Sequence, residues 1–266
     1  MRTGVRWSLL IIVLLIGSLR GAPDSFGAAD REKLLNEPGI FGTFAVFALD
    51  DAWMKQNQAT RIGQLTLLRG VIGQHREKIA IDVYLMRGLS EKADLMFRVH
   101  AAELRDTQQF LLDLQSSAFG KYLKTVGLMH GLTKKPNYAP GLPDQLKADL
   151  KGASEAGPSP YAIVVPIQKS ADWWALDREK RAAMMREHTE ASVPYIPTVK
   201  RKLYHSSGLD DLDFITYFET SRLEDFHNLV LALEQVEEFH YVRRFGHPTL
   251  IGAVKSVDEV IEALAQ

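Results

Sequence analysis

The residues able to do chemistry gather in the second half of this 266-residue chain. In REKRAAMMREHTEA, residues 178–191, Arg181, Met184, Met185 and His188 recur at i, i+3, i+4 and i+7, so a helix carries all four on one face. Pro194 and Pro197 stop that helix, leaving the imidazole in its last turns. There is no second histidine four positions on and no H-E-x-x-H, so His188 is either a packed helix residue or a ligand to a metal that finds its other ligands elsewhere. In TVKRKLYH, residues 198–205, alternation puts Val199, Arg201, Leu203 and His205 on one side and Lys200, Lys202 and Tyr204 on the other. The turn SSGLDD leads into DFITYFE, where Phe214, Thr216 and Phe218 share a face. Such a hairpin can line a small pocket with Arg201, Leu203, Thr216 and Phe218, in which a fixed guanidinium would hold a small anion. The alternative is a solvated cation on a basic edge strand, and the buried face decides between them. KSADWW places Lys169, Trp173 and Trp174 just ahead of the His188 helix, with indoles suited either to a core or to the wall of a flat ligand site.

The elements that must position these groups repeat. DLMFRVHAAELRDTQQFLLDLQSSAFGKYL, from Asp94, aligns without gaps to DFITYFETSRLEDFHNLVLALEQVEEFHYV, from Asp213, 119 positions later. Asp94 matches Asp213, Leu104 matches Leu223, Leu114 matches Leu233 and Tyr122 matches Tyr241. Each copy reads as a strand entering an amphipathic helix, preceded by further strand-like runs: IFGTFAVFAL and KIAIDVYLMR in one half, YAIVVPIQ and TVKRKLYH in the other. The segment between them is rich in Pro, Gly and charge. The expectation is therefore an α+β protein of two fused ferredoxin-like repeats, residues 30–132 and 160–266, joined by a linker at 133–159 and able to close a barrel. The repeat breaks where Phe119 becomes Glu238, so an apolar packing position has become an acid. Either that helix end is exposed in the second copy, or the carboxylate is in use. A lone neutral imidazole suits the axial position of a haem iron, whose other four ligands are porphyrin nitrogens, and its second ring nitrogen then needs an acceptor. Glu238 is the candidate.

Residues 1–29 have arginines at Arg2 and Arg6, an apolar run from Leu9 to Ile16 and small residues at Gly27 and Ala29, the pattern of a cleaved secretory signal peptide. A membrane anchor is the alternative, but the run is well short of the roughly 20 residues that span a bilayer. The chain has no cysteine, which excludes disulfides, thiolate metal sites and covalent C-x-x-C-H haem attachment. A formal charge of −1 argues against a nucleic-acid surface.

Taken together, KSADWW, EHT around His188, KRKLYH around Arg201, DFITYFET and the EEFH containing Glu238 resemble the chlorite dismutase family, with the specific motifs between about residues 160 and 250. The resemblance implies a dimeric α+β barrel, one noncovalent haem b per subunit, assembly as a homo-oligomeric ring, often a pentamer, and decomposition of chlorite to chloride and dioxygen with O–O bond formation at the iron. It makes His188 the proximal iron ligand, with Glu238 and Lys169 as its hydrogen-bonding neighbourhood, and Arg201 the distal arginine. Trp173 and Trp174 become haem contacts, and Leu203, Thr216 and Phe218 line the distal side. With the signal peptide it implies a periplasmic enzyme that acts on a small anion. Coproheme decarboxylase shares the fold and proximal histidine, but Arg201 and the export signal count against it. A dye-decolourising peroxidase would need a G-x-x-D-G motif, absent here. A haem carrier without turnover, or a barrel with no haem at all, are the remaining readings.

Overall fold

The computed structural model describes residues 30–135 and 159–266; the expected signal peptide, 1–29, and most of the expected linker, 136–158, lie outside the described residues. The first half runs α1 (Arg31–Asn36), β1 (Phe41–Leu49), α2 (Asp51–Met54), α3 (Gln58–His75), β2 (Ile79–Leu85), β3 (Leu95–Ala101), α4 (Leu104–Ser116) and β4 (Leu123–Leu132). The second runs β5 (Tyr161–Lys169), α5 (Ala171–Ala175), α6 (Arg178–Ser192), β6 (Val199–His205), β7 (Phe214–Thr220), α7 (Leu223–Leu233), β8 (Val242–Phe245), β9 (Leu250–Val254) and α8 (Val257–Ala265). Strands β1, β2, β5 and β6, helix α6 and the strand–helix copies β3–α4 and β7–α7 fall where the sequence implies. Helix α6 starts where Asp177 accepts a hydrogen bond from the Lys180 amide at 2.7 Å, satisfying a donor that the first turn leaves open.

Each half forms an antiparallel sheet in ferredoxin-like order, β4-β1-β3-β2 and β8-β5-β7-β6. Equivalent pairs share a register: Phe41 lies opposite Ala101 and Phe47 opposite Leu95, as Tyr161 lies opposite Thr220 and Ile167 opposite Phe214. The two sheets close on each other. On one side Leu132 of β4 pairs with His205 of β6; on the other β9 bridges, pairing with β2 at Tyr84 and Leu85 and with β5 from Tyr161 to Val164. The expected barrel is thus formed, and closure removes the exposed sheet edges that would template aggregation.

Alternation gives the strands two buried faces. One fills the barrel lumen with Phe44, Val46, Tyr84, Met96, Tyr204, Ile215 and Tyr217; the other packs outward under the helices. Strand β6 lies between β4 and β7, so it is no edge strand, and its Lys200, Lys202 and Tyr204 side faces the lumen rather than solvent. Tyr204 fits there because Gly42 and Gly131 pack against it where a Cβ would collide. At the lumen's polar end Arg98 Nη2 donates to Asp82 Oδ2 at 2.8 Å, its guanidinium carbon lies 3.9 Å from the Tyr217 ring centroid, and His100 Nε2 meets Tyr204 Oη at 2.7 Å. A packed lumen leaves the outer face of the sheet as the place for a site.

The chain's last elements cross back to the first half. Helix α8, entered through a Ser256–Glu259 capping box, places Val260, Ile261 and Leu264 in one cluster with Trp53, Leu65, Leu68 and Phe119.

Candidate functional site

Superimposing the halves by their elements shows what the second one has given up. Strands β1 and β2 and helices α2 and α3 recur 120 positions later, whereas β3, α4 and β4 recur 119 later, because the turn before β7 is one residue shorter than the turn before β3. By that correspondence Leu49, Leu68 and Phe119, which pack together in the first-half core, become Lys169, His188 and Glu238. Ile81 becomes Arg201 and Phe97 becomes Thr216. The first half closes this region with α8, which lies against α3 and β2. Among the described residues, no helix takes the equivalent place beside α6. What remains is a cavity of about 1070 Å³ between α5, α6 and the outer face of β6 and β7.

One wall carries a charged chain. The Nδ1 of His188 lies 3.1 Å from Glu238 Oε2, and because a carboxylate only accepts, this nitrogen carries the proton and donates. The other oxygen of Glu238 is ion-paired with the Lys169 ammonium. Glu238 is 5% exposed and Lys169 7%, so the carboxylate is buried and in use rather than a solvated helix end. Burial pushes the His188 imidazole down to about 3, helped by the Arg201 and Lys169 charges, so the ring is neutral at any ordinary pH. A neutral ring with Nδ1–H engaged has its Nε2 lone pair free for a metal. Lys169 is held in turn: its amide donates to Asp213 Oδ2 at 2.7 Å and its ammonium lies 4.7 Å from the Trp173 ring centroid.

The opposite wall is the β6–β7 hairpin. Arg201, Leu203 and His205 line the cavity from β6, and Phe214 and Thr216 from β7, with Leu203 paired to Thr216 and His205 to Phe214. Arg201 therefore faces the cavity and not bulk water, which decides the question its strand raised. The Thr216 hydroxyl donates to the Val165 carbonyl at 3.1 Å, so it turns no unpaired donor toward a ligand. Phe218, expected on the distal side, is buried in the cluster beneath α7. It sits across from Arg201 in the ladder, but packs with Ile163, Val165, Val199 and Leu229, and edge-on against Phe226 at 5.1 Å.

The tryptophans divide. Trp173 is buried, whereas Trp174 is 47% exposed at the cavity rim, stacked on Phe214 at 6.1 Å. Lys134, Arg178, His205 and Asp213 also line the cavity and were not singled out from the sequence. Arg178 was one helical turn ahead of Arg181, the only hint available. Lys134 lies past the end of β4, and only barrel closure brings it beside β6. The side chains of Lys134, Lys169, Arg178, Arg181 and Arg201 line the cavity against Asp213 and Glu238, so the space favours an anionic ligand.

This arrangement fits a haem. Among the described residues no cluster of three or more His, Cys, Asp or Glu side chains could hold a metal, so iron at His188 would need its other ligands from a macrocycle. The cavity volume, indoles at one end, a neutral imidazole and excess positive charge suit a flat apolar ring with acidic substituents. The family model described as chlorite dismutase matches residues 61–255. A chlorite dismutase of Ideonella dechloratans is 40% identical over 238 residues, covering 89% of this chain and 84% of that protein. A solved chlorite dismutase from Candidatus Nitrospira defluvii, in complex with imidazole, is 56% identical with a TM-score of 0.85, covering 90% of this chain and all of that one. A heme-binding protein from Thermus thermophilus shares the fold at 21% identity and a TM-score of 0.73, over 87% of this chain and 97% of that one. With the family model matching most of the chain and a curated relative at 40% identity, the protein is a member of the chlorite dismutase family.

Proposed function

We infer that this protein decomposes chlorite to chloride and dioxygen, ClO₂⁻ giving Cl⁻ and O₂, at a haem b bound noncovalently, one per subunit, in the cavity between α6 and the β6–β7 hairpin. When bound, the haem supplies the redox-active iron at which Cl–O bonds break and the O–O bond forms. The observation that carries the reading is the replacement of Leu49, Leu68 and Phe119 by Lys169, His188 and Glu238 around a space that the first half fills.

His188 is the residue to ligate iron through Nε2. Its Nδ1–H to Glu238 fixes the ring orientation and, because the acceptor is anionic, strengthens the imidazole as a donor. Lys169 is the counter-ion of Glu238 in a buried place. On the other wall Arg201 attracts the chlorite anion and holds the chlorine-bearing fragment close, so that recombination outruns escape. Leu203 and Thr216 wall the distal space, and Trp173 and Trp174 bound the ring edge.

Around this core we propose export with cleavage after the signal-like segment, a periplasmic location, assembly as a homo-oligomer of pentameric type, and a role in chlorite detoxification. No helix among the described residues is long and apolar enough to cross a membrane, in keeping with a protein released after cleavage. An oxygen electrode tests the central claim. Haem-loaded protein should release one O₂ per chlorite, and haem-loaded protein that releases none refutes it.

A further inference from the structure

The first half holds its plug at two points that the second half repeats. Trp53 Nε1 donates to the Leu264 carbonyl at 3.0 Å, and Arg61 Nη2 donates to the main-chain oxygen of Gln266 at 3.0 Å. These two donors grip the end of α8 where it emerges from the apolar cluster. Arg61 also rests on Met54, with Nη1 3.8 Å from Sδ. Displaced by 120 positions, Trp53 becomes Trp173, Arg61 becomes Arg181 and Met54 becomes Trp174. The guanidinium of Arg181 takes the corresponding seat, 5.8 Å from the Trp174 ring centroid, and lines the cavity. Arg61 has an oxygen acceptor. The Arg181 side chain makes no ion pair and no hydrogen bond to any described residue, and Arg181 is only partly exposed.

We propose that Arg181 is an oxyanion subsite of the cavity that binds a carboxylate on the rim of the bound macrocycle, as Arg61 binds a main-chain oxygen at the end of the helix that fills the same place in the first half. The inference rests on the haem reading above. The physical case is that the cavity occupies the place that α8 fills in the first half, so an apolar ring in it would bring its oxygen-bearing edge to the arginine that corresponds to Arg61. An arginine laid on an aromatic face has a guanidinium plane fixed for paired hydrogen bonds, which a free lysine would not offer.

The test compares haemin with haemin dimethyl ester, in which both carboxylates are masked, by titration of apoprotein followed through the haem absorption band and tryptophan quenching. The parent protein should prefer haemin, and Arg181→Gln should lose about tenfold of that preference while binding the diester as the parent does. Arg181→Lys should keep part of it. Arg61→Gln should lower the melting temperature by loosening α8 and leave the haemin-to-diester ratio alone. An unchanged ratio in Arg181→Gln overturns the subsite and leaves the haem reading standing. Parent apoprotein that takes up neither porphyrin overturns the haem reading and the subsite with it.

Discussion

Consider replacing Glu238 with Gln, which removes one charge and almost no volume. In the parent protein the carboxylate sits between the Lys169 ammonium and the His188 Nδ1–H, with side-chain exposures of 4% for Lys169 and 7% for Glu238. The amide can still accept from one neighbour, but the lysine charge is left buried without its counter-ion. Breaking one side of a buried pair costs about 3 kcal/mol or more, against the near-neutral outcome of removing both charges. For a chain of this size, that corresponds to a fall in melting temperature of roughly 6–12 °C. The double variant Lys169→Met/Glu238→Gln carries neither charge, and the equivalent first-half positions, Leu49 and Phe119, show that this framework accepts apolar side chains there. It should recover most of the loss. Iron ligation should not recover with it, because both variants replace an anionic acceptor on Nδ1 with a neutral one; haem should dissociate about 10- to 100-fold faster in each. Thermal unfolding of the apoprotein and haem transfer to an acceptor globin measure the two effects separately. If the single and double variants melt within about 0.5 kcal/mol of each other, the ions are not coupled and the account of this wall is wrong.

Other perturbations follow from the same geometry. Arg201→Ala should retain haem yet lose activity after fewer turnovers, read as total oxygen released per haem before inactivation, and undiminished endurance would remove the holding role assigned to Arg201. His205 lines the cavity, and burial, with help from Lys134, lowers its imidazole to about 4. The unfolded chain therefore binds a proton between about pH 6.5 and 4 that the folded chain refuses, so stability is present above pH 6.5 and lost as pH falls toward 4. His205→Phe should flatten that part of the apoprotein's stability profile by about 1–2 kcal/mol, solvent at the cavity mouth keeping the effect below its full value; parallel profiles in urea titrations would count against it. Leu264→Ala, in the fully buried face of α8, should cost about 3 kcal/mol in urea unfolding and leave the haem spectrum untouched, since it acts in the first half.

Much of the fold was legible because periodicity is a local property. The two strand-and-helix copies from Asp94 and Asp213 are found as β3–α4 and β7–α7 with matching starts at Leu104 and Leu223. The exchange of Phe119 for Glu238 was visible in the same ungapped comparison. Its companions were not, because one residue fewer before β7 shifts the correspondence to 120, and a comparison at 119 sets Leu49 against Gln168 and Leu68 against Glu187. Aligning the halves with that single gap would have revealed Lys169 and His188 as replacements for core leucines.

By itself the sequence determined which residues share a face: Arg181, Met184, Met185 and His188 on α6, and Val199, Arg201, Leu203 and His205 on β6, since side-chain direction follows from helical and strand geometry alone. It could not say what each face meets. That Met184 is buried while Met185 and His188 reach the cavity, that Phe218 packs in a core while Thr216 lines the site, and that Lys200 and Lys202 turn into a barrel, all depend on closure by contacts far apart in the chain, such as Leu132 with His205. Only the tertiary structure decided that there is a cavity at all. The same framework is solid where α8 covers it and open where no described helix does, and that difference is made by the last residues of the chain crossing to the other half.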